Sequence, residues 1–64
     1  MPVITIKMKK TQAEKKKELI EKLTSAAVEV TNAPANAFTV FIEEYEPDSI
    51  GIGGQTLIEK LSNK

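Results

Sequence analysis

The sequence predicts an α+β fold: a single β-α-β unit with parallel strands, whose sheet is completed by oligomerisation. Three observations carry this. Val3 to Met8 and Ala37 to Glu44 each alternate side chains between two faces with a period of two. Between them, apolar residues recur at helical spacing over roughly twenty positions, one face of an amphipathic helix. The chain has only 64 residues, and a domain of that size buries only about 60% of the surface its unfolded form exposes.

In the first strand Ile4, Ile6 and Met8 share one face, and Val3, Thr5 and Lys7 the other. The β-branched content suits a pleated surface. Lys9 and Lys10 end it as a solvated strand end that resists edge pairing. Thr11-Gln12-Ala13-Glu14 has the spacing of a capping box, in which a threonine hydroxyl and a glutamate each satisfy a free N–H. Beyond it Leu19, Ile20, Leu23, Ala26, Ala27 and Val30 form the expected apolar stripe. Lys15, Lys16, Lys17, Glu18, Glu21 and Lys22 form the wet side, with Glu18 and Lys22 a favourable i,i+4 pair.

Asn32 tolerates the left-handed conformation that ends a helix, and Pro34 prevents continuation. After the linker 33–36, Phe38, Val40 and Ile42 share one face of the second strand, and Thr39, Phe41 and Glu43 the other. Strand, helix, strand implies a right-handed crossover between parallel strands. One helix covers one sheet face only. Val3 and Phe41 are left on the other, an apolar surface of the kind that other copies of the chain cover.

The tail opens as an acidic turn at Tyr45-Glu46-Pro47-Asp48 and becomes the glycine-rich Gly51-Ile52-Gly53-Gly54. Gln55 to Leu61 is read as a short helical or extended ending. The glycines lack the lysine of a phosphate loop and do not lie between a first strand and its helix. Close approach of another backbone, as at a subunit contact, explains them better.

Composition narrows the function. With no cysteine and no histidine, disulfides, thiolate metal sites and imidazole bases are all excluded. Asp and Glu alone are left as metal ligands, so no metal is expected. Net charge is zero and the pI about 6.2, unlike a nucleic-acid-binding domain. The lysine triplet 15–17 has glutamates nearby and no interleaved aromatic residue, and reads as a solvated face. Residues 1–32 are net basic and 33–64 net acidic, so the halves can attract one another within or between subunits. No apolar run is long enough for a membrane span and no signal-peptide pattern opens the chain, so a cytoplasmic protein with no nucleic-acid or membrane partner is expected. All nine basic residues are lysines.

Pro2 has two readings. It can begin an edge strand, where its missing N–H costs nothing. Alternatively, once Met1 is trimmed, its ring nitrogen is a secondary amine, a base fixed to the main chain.

Met-Pro-hydrophobic at the start, one amphipathic helix, a second strand ending in Ile42-Glu43-Glu44 and the Gly51-Ile52-Gly53-Gly54 tail together resemble the 4-oxalocrotonate tautomerase family. The resemblance spans essentially the whole chain and implies one tautomerase domain over residues 1–64. It implies dimers with four-stranded sheets, assembled as a homohexamer, a trimer of dimers. It also implies a catalytic Pro2 that moves a proton in enol or keto forms of a 2-oxo acid, with no cofactor.

The family's two substrate-holding arginines and its tail phenylalanine have no counterpart in kind. The first position falls at Lys10, with Lys9 the alternative, the second at Thr39, and the aromatic at Ile50. Lysine attracts a carboxylate as a point charge but cannot make the planar two-pronged contact. Thr39 offers one neutral hydroxyl, and Ile50 a water-excluding wall of different shape. The resemblance so read implies a monoacid enol substrate or weak turnover. The alternative is a catalytically inactive homo-oligomeric binding or structural module of the same fold.

Overall fold

Alternation in the first segment becomes strand β1 (Val3–Lys9), and the second segment becomes β2 (Thr39–Tyr45). The computed structural model describes residues 2–62. The strands pair in parallel, with Val3 opposite Thr39, Ile6 opposite Ile42 and Lys9 opposite Tyr45. Helix α1 (Ala13–Thr31) makes the crossover. It covers the face of Ile4, Ile6, Met8, Val40, Ile42 and Glu44, and leaves Val3, Thr5, Lys7 and Phe41 open.

Residues 35–37 form a 3-10 turn, with the Ala37 N–H donating to the Pro34 carbonyl and the Phe38 N–H to Ala35. That turn moves the start of β2 two residues past its expected position. Asn32 ends α1 at φ 61°, ψ 16°, its N–H donating to the Val28 carbonyl at 2.8 Å. This is the left-handed stop that the sequence implies.

Two expectations about α1 are corrected. Thr11 does not cap it: the cap position is Gln12, with no side-chain cap bond, and the Thr11 N–H turns instead to Glu44. The sheet-facing stripe is Lys16, Leu19, Leu23, Thr24, Ala27 and Val28. Ile20 is 40% exposed and Val30 80%, because one helical face is wider than a two-stranded sheet can cover.

The tail is more structured than expected. A 3-10 turn (Pro47–Ser49) leads to a short hairpin of β3 (Gly51–Ile52) and β4 (Gln55–Thr56), then helix α2 (Leu57–Ser62). Gly53 and Gly54 form the two-residue turn at φ 61° and 87°. That turn demands positive φ at both positions, which glycine supplies without strain. A Cβ at either would meet nothing within 4 Å, so within the chain the requirement is conformational rather than close approach. A true capping box lies here: the Thr56 N–H donates to Glu59 Oε1 at 2.8 Å and the Glu59 N–H to Thr56 Oγ1 at 3.1 Å.

No described residue is buried. The subunit exposes 5066 Å², against about 4,000 Å² for a compact monomer of its mass by the usual scaling. The excess is comparable to one partner's share, about 800 Å², of a standard protein interface.

Candidate active site

Parallel pairing sorts the candidate residues into two groups. At one end of the sheet lie Pro2 and Thr39, joined by the Thr39 N–H donating to the Pro2 carbonyl at 3.1 Å. Pro2 is exposed and Thr39 half-buried. The bond pins the proline to the start of β2 and leaves the ring nitrogen's side of the residue outside the ladder. Met1, whose removal would make that nitrogen a base, lies outside the described residues.

At the other end lie Lys10 and Ile50. The Lys10 N–H donates to the Tyr45 carbonyl at 3.2 Å, which closes the ladder just past β1. Ile50 is half-buried; its carbonyl accepts the Leu57 N–H at 2.8 Å. It lines an open concavity of about 270 Å³ with Lys7, Met8, Tyr45 and Ser49. The seven residues of β1 separate Pro2 from Lys10, eight steps and so about 26 Å at strand rise. One chain therefore brings Pro2 together with Thr39, and places Lys10 in the same end region as Ile50, but joins neither pair to the other.

Three neighbours of the second group are not singled out by the sequence. Lys7 Nζ lies 3.9 Å from Glu43 Oε1, and the Tyr45 hydroxyl donates to the same oxygen at 3.1 Å. Alternation assigns Lys7 and Glu43 to the open face, and Tyr45, expected in the acidic turn, instead ends β2 beside them. Only the register, with Lys7 opposite Glu43, brings them together.

Glu44 is the fourth. It is on the helix-covered face, where Val40 and Ile42 are apolar, and its two oxygens are both engaged. Oε2 accepts the Thr11 N–H at 2.9 Å, and Oε1 accepts from Lys16 Nζ at 3.0 Å. The Thr11 N–H, and then the Lys16 ammonium, hold the Glu44 carboxyl below its ordinary value. Lys16, expected on the wet side, is thus half-buried. Two of the three ion pairs among the described residues, Lys7–Glu43 and Lys16–Glu44, join the basic half of the chain to the acidic half. The third is the anticipated Glu18–Lys22 pair, at 3.1 Å.

Among the described residues no group of three or more acidic side chains could hold a metal ion. No helix among them is long and apolar enough to cross a membrane.

Comparison with known proteins agrees with this geometry. The family model described as tautomerase enzyme matches residues 2–60. A probable tautomerase of Bacillus cereus is 43% identical over 61 residues, covering 94% of this chain and all of the relative. The 2-hydroxymuconate tautomerase of Bacillus subtilis is 40% identical over 58 residues, covering 89% of this chain and 94% of the relative. A heterohexameric 4-oxalocrotonate tautomerase from Chloroflexus aurantiacus superposes with a TM-score of 0.85 at 28% identity, covering 92% of this chain and 97% of its own. With the family match spanning nearly its whole length and the β-α-β fold shared, the chain belongs to the 4-oxalocrotonate tautomerase family and is an isomerase of that type.

Proposed function

We propose that the chain is a cofactor-independent tautomerase of 2-oxo acids, in which Pro2, freed of Met1, is the general base. The observation that carries this is the placement of Pro2: exposed, at the mouth of the sheet, and held there by the Thr39 N–H. An α-amine titrates near pH 7.7–8.0 in model peptides, and a nearby cation lowers that further by disfavouring the charged form. Such a base both takes and returns a proton near neutral pH. The Pro2 nitrogen accepts the enol hydroxyl proton as the oxygen closes to a carbonyl, and the carbon–carbon double bond shifts. The same proton is then returned to carbon. In this chain, without histidine or cysteine, a main-chain amine fills the acid–base role.

The remaining roles follow from the two groups of residues. Lys10 attracts the substrate carboxylate, Thr39 offers a hydroxyl to its oxygen, and Ile50 excludes water. Pro2 and Lys10 lie at opposite ends of one subunit, so a dimer with antiparallel sheets would supply both groups to each site. Three such dimers give a homohexamer; the hexameric relative and the uncovered sheet face support that assembly. The 2-hydroxymuconate substrate in a relative's name is a 2-oxo acid enol, which supports the substrate class. With no arginine, the bidentate grip on a diacid is lost, so a monoacid enol is the better fit.

The test is turnover of the enol of phenylpyruvate by Pro2→Ala, together with the intact mass of the native protein. Loss of a general base lowers kcat by about 10²-fold or more, and the mass should show Met1 removed. Unchanged turnover, or a retained Met1 in active material, removes Pro2 from the mechanism. The absence of arginine also favours a second reading, an inactive oligomeric module. Assembly without turnover on any monoacid or diacid enol would establish it.

A further inference from the structure

We infer that Glu44 is a positioning residue for substrate binding: it fixes the turn carrying Lys10 and, with Lys16, leaves the Lys10 ammonium free for an anionic substrate. The inference rests on the proposed role of Lys10.

Position 44 is anomalous before any partner is considered. It shares the helix-covered face with Val40 and Ile42, so alternation calls for an apolar residue there. A glutamate that breaks its own strand's pattern marks a local requirement other than packing. The requirement is visible in the turn 10–12. Two consecutive amides there are held by two consecutive residues of β2: the Lys10 N–H by the Tyr45 carbonyl at 3.2 Å, and the Thr11 N–H by Glu44 Oε2 at 2.9 Å. Without the second bond, the backbone of Lys10 is fixed on one side only.

The other oxygen has a separate task. Lys16, in the first turns of α1, occupies Oε1 at 3.0 Å. Both carboxylate oxygens are thereby engaged, and among the described residues Lys10 forms no ion pair. Lys10 is still close enough to favour the ionised form of Glu44. Lys16 therefore competes for a carboxylate that would otherwise draw Lys10 away from substrate.

The experiment measures steady-state turnover of the enol of phenylpyruvate by the wild-type oligomer, Lys10→Ala, Glu44→Ala, Glu44→Gln and the Lys10→Ala/Glu44→Ala double variant. Exchange of the Thr11 amide is followed by NMR. Removing a charge-assisted contact in Lys10→Ala should raise KM about tenfold or more. Misplacement in Glu44→Ala should raise KM about fivefold, with kcat changed less, and speed Thr11 exchange. Glu44→Gln still accepts the Thr11 N–H and should recover most of the affinity. In the double variant the Glu44 change should add nothing to the KM of Lys10→Ala.

If Lys10→Ala raises KM and Glu44→Ala leaves it at the wild-type value, positioning by Glu44 is refuted while Lys10 keeps its role. Additive effects in the double variant equally refute it, since Glu44 then acts independently of Lys10. An unchanged KM in Lys10→Ala refutes the role of Lys10, and the inference with it. Should Glu44→Ala not assemble, Lys16→Met carries the test. It keeps the Thr11 bond and releases Oε1 to Lys10, so KM should rise; an unchanged KM overturns the inference.

Discussion

Replacing Phe41 by aspartate should dissociate the assembly and abolish turnover together. Phe41 lies on the open sheet face and is 53% exposed in the isolated subunit. Burying that remaining half of the ring is worth about 1–1.5 kcal/mol. An aspartate in its place also brings a carboxylate into a dry contact, at a further cost of at least 1–2 kcal/mol even after partial relaxation. A contact between two such faces carries the change twice, giving about 4–7 kcal/mol, or three to five decades in the dissociation constant. Sedimentation equilibrium over a dilution series reads this directly, with kcat measured at the same concentrations. The 7.0 kDa chain should sediment as a larger species in the wild type and shift toward its monomer mass in the variant. A variant of unchanged mass and thermal midpoint would refute the assignment of this face to a subunit contact.

Three further predictions concern the side chains that organise the turns. The folded-state pKa of Glu44 lies below its ordinary 4.5. Its ionised form therefore stabilises the fold above that value, and the contribution is lost as pH falls through the folded pKa. Glu44→Gln should flatten the acid limb of a plot of thermal midpoint against pH; an identical limb would show that the Thr11 and Lys16 contacts are not maintained in solution. Thr56→Ala removes one arm of a formed capping box and should weaken α2 by about 1 kcal/mol, seen as faster exchange of the Glu59 amide. Thr11→Ala removes a hydroxyl that caps nothing in α1 and should change stability by less than about 0.5 kcal/mol. Equal losses from the two would restore Thr11 as a cap.

How much of this was legible in the sequence depends on the range of the interaction involved. The strands and α1 follow from periodicity, because burial on one face imposes a repeat that a short window contains. Asn32 was legible for the same local reason: its conformation is decided by its own side chain and its neighbours. The capping-box pattern at Thr11 is also local, and there a longer-range competitor wins. In a capping box the Thr11 N–H would be taken by the Glu14 carboxylate; Glu44, thirty-three residues away, takes it instead at 2.9 Å. No window around Thr11 contains that carboxylate. The box at Thr56 has the same spacing and no such rival, and there it forms. Lys16 leaves the wet side for the same reason, since its partner, Glu44, is on β2. Pro2, Lys10, Thr39 and Ile50 were located as positions, but their separation into two ends of a sheet requires the register.

That separation is a property of the topology. In any β-α-β unit with parallel strands, both strands start at one end and finish at the other. A base at the start of β1 and a cation in the turn after β1 therefore stand a full strand length apart, whatever the sequence. Lengthening the turn or the tail cannot close about 26 Å without unmaking the strand. Reversing the direction of a second copy beside the first closes it at once, and does so twice in each dimer. On the proposed reading, edge pairing of two copies completes the site while the open faces supply the missing core. A subunit with no buried residue among those described keeps its edge pairing only within the assembly, so stability and catalysis share one dependence on concentration. This is why the loss of mass and the loss of kcat in Phe41→Asp should follow a single dilution curve. A monomeric species with substantial turnover would separate the two and show that Pro2 acts without a partner's Lys10.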